Sequence, residues 1–249
     1  MSTNAPSEQI VESRDPQPAA ATGCPLDRLS VVIPALQAAA VLPGTLEVVR
    51  QGSPGQVIVV DGGSSDGTPQ IAEREGAQLI AAARGRGLQL AAGARESGGD
   101  WLLFLHADTH LGAGWPQAVQ AFMAGTGEGW RAGWFRLAFD DRSPAAARVA
   151  RLANWRSRNL GLPYGDQGLL IPRNFYQALG GYSRQALMED VELVRRIGRR
   201  RLAELPATAT TSAERYRRDG WLRRPAKNLT LLALYFLGLP PSLLARLYR

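Results

Sequence analysis

Residues 102–111, LLFLHADTHL, pass from four apolar residues, Leu102 to Leu105, straight into His106 and Asp108. The apolar run suits a fully buried strand, and a carboxylate just beyond it stands where solvent or a ligand begins. A hard divalent cation that holds a diphosphate needs such an oxygen anion, with waters and phosphates completing its shell. Asp108 is therefore a candidate metal ligand, and a helix cap or turn is the structural use of the same residue. His106 is less informative, because a lone histidine at a strand end more often packs or hydrogen-bonds than ligates, and nothing near it has zinc-site spacing.

Three further stretches and a pair of arginines carry groups suited to chemistry. In VDGGSSDGT (60–68) the glycines allow a tight turn after a strand. Asp61 there can accept a hydrogen bond from a bound base or a ribose hydroxyl, or close an ordinary Asp-Gly turn; Asp66 reads as a loop brace or helix cap. In MEDVEL (188–193) Glu189 and Asp190 open a helix, where the macrodipole favours the ionised form. That placement stabilises the helix, and it equally suits a carboxylate that must be anionic to take a proton. PYGDQG (163–168) joins helix breakers to Asp166 and Gln167, which fits a loop presenting polar groups to a ligand or a structural turn. Arg84 and Arg86, beside glycines, have the reach to contact phosphates, and a solvated basic loop has the same composition.

The elements that must position these groups follow from the apolar pattern. LSVVI (29–33), QVIVVD (56–61), AQLIA (77–81) and DWLLFLH (100–106) are short β-rich runs separated by helix signals, such as Thr68-Pro69 as N-cap and first-turn proline. Strand, helix, strand repeated in this way predicts an α/β fold with a Rossmann-like, mostly parallel sheet and helices on both faces. Ligands bind beyond the carboxyl ends of such strands. Here those ends are Pro34-Ala35-Leu36, Asp61-Gly62-Gly63, Arg84-Gly85-Arg86-Gly87 and His106-Ala107-Asp108, so carboxylates, arginines and glycines should meet on one rim. In the second half, 130–139 reads as a strand, 144–160 as a basic helix and 168–172 as a short strand. Leu187, Val191, Val194 and Ile197 place a helix within 183–200.

At 249 residues and 45% hydrophobic the chain can bury a substantial core. Residues 1–28, rich in Pro, Ala, Ser and Thr, read as a disordered tail. Residues 29–224 form the main domain, divided into 29–110 for the nucleotide and 111–224 for the acceptor once the resemblance described below is taken into account. Residues 225–249 read as an amphipathic helical segment. The first residues contain acids and no apolar signal-peptide core, and the late apolar stretch 229–239 is too short to span a bilayer before Pro240-Pro241 stops it. Cys24 is the single cysteine, which is compatible with a reducing compartment. The net charge of +7 rests almost wholly on arginine, since Lys227 is the only lysine, and it suits phosphate-bearing partners or anionic membrane surfaces. These features together give the expectation of a cytoplasmic protein, peripheral at most to the inner face of the membrane through 225–249, with no nucleic-acid partner and with a homo-oligomer left open.

Taken together, SVVIPAL, VIVVDGGSSDGT, FLHADT, GLLIPRNFYQALGGY and MEDVELVRRI, in this order and spacing, resemble a family-2 glycosyltransferase of the GT-A fold over roughly residues 29–220. LHADT, PYGDQ and the late LYFLG are similar to the radical-SAM/selenodomain-associated transferase 2 subgroup. The resemblance implies a nucleotide-diphosphate sugar donor, UDP-linked by expectation, with Asp61 at the base and Pro34, Ala35, Leu36, Arg84, His106 and Ala107 around the nucleotide and diphosphate. It implies Asp108 on a divalent Mn or Mg ion, and Asp190 of the Glu189-Asp190 pair as general base in an inverting single displacement onto an unknown acceptor. Asp166, Gln167 and Arg215 would lie toward the acceptor or diphosphate. The chain departs from the family pattern where Gln37-Ala38 replaces Asn-Glu, where His106 replaces the first acid of DxD, and where Arg215-Tyr216 stands for an Arg-Trp element.

Two rival readings use the same sheet. A sugar nucleotidyltransferase would follow its first strand with a glycine-rich basic loop, which Pro34-Ala35-Leu36-Gln37 does not supply. A non-catalytic nucleotide-sugar-binding protein would keep the fold and lose turnover, and fold alone does not separate it from an enzyme.

Overall fold

The computed structural model describes residues 26–126 and 129–248; most of the expected tail, Cys24 and Arg249 lie outside the described residues. Of that expected tail, Leu26–Arg28 form a single 3-10 turn with Leu26 buried. The chain then runs β1 (Leu29–Ala35), α1 (Leu42–Arg50), β2 (Gln56–Asp61), α2 (Thr68–Arg74), β3 (Gln78–Ala81), α3 (Arg86–Glu96), β4 (Trp101–Phe104) and β5 (Thr109–Leu111). It continues through α4 (Trp115–Thr126), β6 (Ala132–Phe139), α5 (Pro144–Leu160), β7 (Leu169–Pro172), α6 (Arg173–Ala178) and α7 (Glu189–Ile197). The remaining elements are β8 (Leu202–Thr211), α8 (Glu214–Asp219), α9 (Arg223–Phe236) and α10 (Pro241–Tyr248).

The strands form one sheet in the order β3-β2-β1-β4-β7-β6-β8-β5. The first four strands of that order are mutually parallel, β7 is antiparallel to both neighbours, β6 and β8 are parallel, and β5 is antiparallel to β8. Six strands therefore share one direction, as the repeated strand-helix-strand pattern predicts, and β7 and β5 are reversed.

Alternation along the central strands explains why both faces carry helices. Val31, Ile33, Val59 and Leu103 face Leu42, Leu46 and Trp115 from α1 and α4, while Val32, Ile58, Val60 and Phe104 face Leu90, Phe175 and Val191 from α3, α6 and α7. Each fully buried side chain of this kind contributes about 1.5–3 kcal/mol relative to exposure. α3 lies so close to the sheet that a Cβ at Gly93 would stand 2.4 Å from Val32 Cγ1.

Register decides which residues share the rim. Ala35 pairs with Asp61 and Val32 with Phe104, so the carboxyl ends of β1, β2 and β4 emerge together. The reversed β7 matters more, because Phe104 pairs with Leu169. The turn that enters β7 is thereby placed beside the residues that leave β4. β8 and β5 have no clear apolar signature; β8 includes Pro206, and its register with β6 shifts between Leu205 and Thr208, where the missing proline N–H interrupts the ladder.

The helix expected within 183–200 is shorter, because Met188 takes φ 65° at the N-cap and leaves Leu187 outside it. The C-terminal segment begins at Arg223 rather than 225 and is a pair of helices, α9 and α10, with Leu231, Leu232 and Leu244 buried. Among the described residues no helix is long and apolar enough to cross a membrane.

Candidate active site

Asp61 ends β2 and is almost fully buried. Its Oδ2 accepts the backbone N–H groups of Gly63 and Ser64, each at 2.9 Å, and so folds the turn, while Oδ1 is buried with no partner. An unmatched buried acceptor costs about 1–3 kcal/mol, and a ligand N–H or hydroxyl would satisfy it. Asp66 has the bracing role: Oδ2 accepts the Ala39 N–H at 3.0 Å and Oδ1 accepts the Thr68 N–H at 3.1 Å and hydroxyl at 2.5 Å. These bonds, the Thr68 hydroxyl foremost, hold its carboxyl below the usual range.

Beside Asp61, the segment Pro34-Ala35-Leu36 is fixed by Gln89, whose buried amide donates to the carbonyls of Ala35 at 2.7 Å and Val60 at 2.8 Å. Gln37 sits at φ 51° and accepts the Ser65 N–H at 2.7 Å, so a neutral amide ties the two loops together where the resembled family carries Asn. Gln89 escaped the sequence reading; its only signal is an amide in the apolar stripe of α3.

β4 delivers His106, Ala107 and Asp108. The Ala107 carbonyl accepts the Thr45 hydroxyl at 2.7 Å. The His106 Nε2 is buried without a partner, and burial, with the Arg86 and Arg215 cations adding to it, lowers the imidazole well below its ordinary pKa. It is therefore neutral. Arg215 is exposed and lies within electrostatic reach of His106. Asp108 is half-buried and makes no hydrogen bond or ion pair among the described residues, and its charge acts on Arg86 and Asp166.

The turn before β7 and the first turn of α7 complete the cluster. Asp190 Oδ2 accepts the Gly165 N–H at 2.8 Å and Oδ1 accepts the Val191 N–H at 2.7 Å. Gly165 is required by closeness: a Cβ there would stand 2.5 Å from His106 Nε2 and 3.5 Å from Asp190 Oδ2. Glu189 is buried and ion-paired with Arg86 at 3.5 Å. Burial and the neighbouring Asp190 push its carboxyl up while Arg86 opposes them, so Glu189 anchors Arg86.

Asp166 has a buried, unpartnered Oδ1, and its pKa rises to about 6 through burial, with Asp190 and Asp108 adding to the rise and Arg156 opposing it. Gln167 differs from the expectation of a ligand contact. It is fully buried, its Nε2 donates to the Phe135 carbonyl and Asn154, and its Oε1 accepts from the Ser157 hydroxyl at 2.7 Å. Its amide holds the turn in place because every one of its bonding directions ends on the chain. Arg156 and Tyr164, stacked with the guanidinium 3.4 Å from the ring centroid, were not foreseen.

The structure also separates the two arginines. Arg86 opens α3 inside the cluster, whereas Arg84, the expected diphosphate contact, is exposed in the preceding loop and makes no hydrogen bond or ion pair among the described residues. The residues that converge are thus Arg86, His106, Gly165, Glu189 and Asp190, which share one crevice with Tyr182. Asp108 and Asp166 are coupled to it electrostatically.

Among the described residues no three His, Cys, Asp or Glu side chains form a ready metal cage. A cation that keeps waters and takes phosphate oxygens needs only one or two carboxylates from the protein, and the unengaged Asp108 carboxylate fits that need.

The family model for glycosyl transferase family 2 matches residues 30–189. The chain belongs to that family. The match spans β1 through the first residue of α7 and stops one residue short of Asp190. A PGL/p-HBAD biosynthesis glycosyltransferase of Mycobacterium tuberculosis is 37% identical over 97 residues, which cover 33% of this chain and 36% of that protein. The chain thus matches about a third of the length of this curated relative. Staphylococcus aureus TarS 1–349 aligns with a TM-score of 0.58 at 15% identity, over 88% of this chain and 68% of the other. The Mycobacterium tuberculosis glucosyl-3-phosphoglycerate synthase, solved with Mg2+ and UDP, aligns at 0.52 and 19% identity, over 74% of this chain and 69% of that one. At these identities the likeness is one of fold, and the fold of this family-2 chain is of the GT-A kind.

Proposed function

We propose that this family-2 chain moves a sugar from a nucleoside-diphosphate donor, UDP-linked by preference, to an acceptor hydroxyl by an inverting single displacement. The observation that carries the reading is the Asp190 carboxylate, pinned by the Gly165 and Val191 N–H groups at the first turn of α7, in a crevice with Arg86 and a neutral His106. Those two N–H bonds fix the direction of the carboxylate, and a carboxylate held in place is the group that can accept a proton. Asp190 takes the proton of the acceptor hydroxyl as its oxygen bonds to the anomeric carbon, and the bond to the diphosphate breaks on the opposite face. Arg86 supplies positive charge toward the leaving diphosphate. The free Oδ1 of Asp61 suits a donor group on the base or ribose. Asp108 would hold a divalent Mg or Mn ion, which when bound neutralises charge on the diphosphate. Two solved structures of similar fold, one holding Mg2+ and UDP and the other UDP-GlcNAc, support this choice of donor class.

The test is thermal stabilisation by nucleoside diphosphates with and without Mn or Mg. UDP should raise the midpoint, the metal should raise it further, and Asp108→Ala should remove the metal-dependent increment. If no nucleoside diphosphate shifts the midpoint, the donor assignment fails.

A further inference from the structure

Helices normally turn their apolar stripe toward the core. From the N-cap Leu222 along α9, the positions Leu222, Ala226, Leu229, Ala233 and Phe236 follow helical spacing and are all exposed, Leu222 at 85%. Leu237, at 78%, extends the stripe, and α10 likewise exposes Leu243 and Leu247 one turn apart. Leu232, with Tyr235 beside it, packs into the core, Leu231 and Leu244 are buried, and Phe236 lies under the Arg195 guanidinium at 5.0 Å, so the exposed leucines are not what seats the hairpin.

Its charge is of one sign. Residues 220–249 contain Arg223, Arg224, Lys227, Arg246 and Arg249 and no Asp or Glu. Arg224 is taken up internally, by Asp219 at 2.6 Å and the Tyr248 hydroxyl at 2.9 Å. Arg223 and Arg246 are exposed and make no hydrogen bond or ion pair among the described residues. Exposed leucines flanked by unopposed cations complement an anionic headgroup layer, which takes apolar side chains at its acyl boundary and cations at its surface. A second copy of the chain fits less well, because a twofold interface would set the same cations against each other.

We infer that the outer face of the α9–α10 hairpin docks the protein on an anionic bilayer surface without spanning it. The inference is independent of the sugar-transfer reading. Tyr248, near the end of α10, lies within electrostatic reach of Arg86.

The experiment is co-sedimentation of the full chain with phosphatidylcholine vesicles, with and without phosphatidylglycerol. Binding should need phosphatidylglycerol and weaken as salt rises. Leu222→Asp with Leu237→Asp should reduce it at least about tenfold, and Arg223→Ala or Arg246→Ala about fivefold each, with the thermal midpoint unchanged. All four positions are exposed, so the variants keep the core intact. The inference is overturned by absence of binding to either vesicle, or by binding that these substitutions leave unchanged. It is equally overturned if the leucine variants abolish a dimer seen in sedimentation while the wild type ignores vesicles.

Discussion

The backbone N–H of Gly165 donates to Asp190 Oδ2 at 2.8 Å and so joins the turn before β7 to the first turn of α7. This bond fixes the carboxylate beside His106, and the space around it is full. Gly165→Ala should therefore push a methyl against the imidazole at 2.5 Å, costing about 1–3 kcal/mol and displacing Asp190. Chemical denaturation and a transfer assay check it; unchanged values in both would mean that the turn is not packed as described.

Asp190→Asn keeps an oxygen for the Gly165 N–H and removes the proton acceptor. Transfer should fall by about 10²–10⁴ while nucleotide binding persists. Equal turnover in the variant removes Asp190 from the chemistry.

Arg86 and Glu189 form a pair in which only the carboxylate is deeply buried, with 43% of the arginine side chain exposed and 4% of the glutamate. Arg86→Ala strands that charge and should destabilise by about 1–3 kcal/mol, less than for a fully buried pair because solvent reaches the arginine. Adding Glu189→Gln should recover part of the loss. A double mutant no better than the single, measured by denaturant midpoints, would show that the two do not interact.

Asp166 titrates near 6 in the folded chain, above its unfolded value near 3.8. Between those values the native state holds a proton that the unfolded state has lost, so stability falls as pH rises through that window and stays lower above it. Asp166→Asn should flatten this slope and stabilise the protein at pH 7 to 8 by on the order of 1–3 kcal/mol. Thermal midpoints across pH decide it, and parallel wild-type and variant curves would assign the slope to another group.

Much of this rim was legible beforehand, for definite reasons. Buried parallel strands read as continuous apolar runs, and the polar residues that follow mark their ends; Asp61, at the end of β2, and His106 with Asp108, just beyond β4, were singled out that way. β8 and β5 were not, since LAELPATATT and THL have no apolar signature of their own and become strands only by pairing with β6 and with each other.

The sequence by itself determined the order of β1 to β4 with helix signals between them, the later strands β6 and β7, the family, and the presence of Glu189 and Asp190 in a helix's first turn, because these depend on local periodicity and residue order. Only the tertiary structure decided which polar groups meet. The reversed β7 brings Gly165 and Asp166 to the end of β4, the start of α3 selects Arg86 over Arg84, and buried bonds turn Gln167 into scaffold. Such choices rest on strand direction and on which donor finds which acceptor across many intervening residues, and no local pattern encodes them.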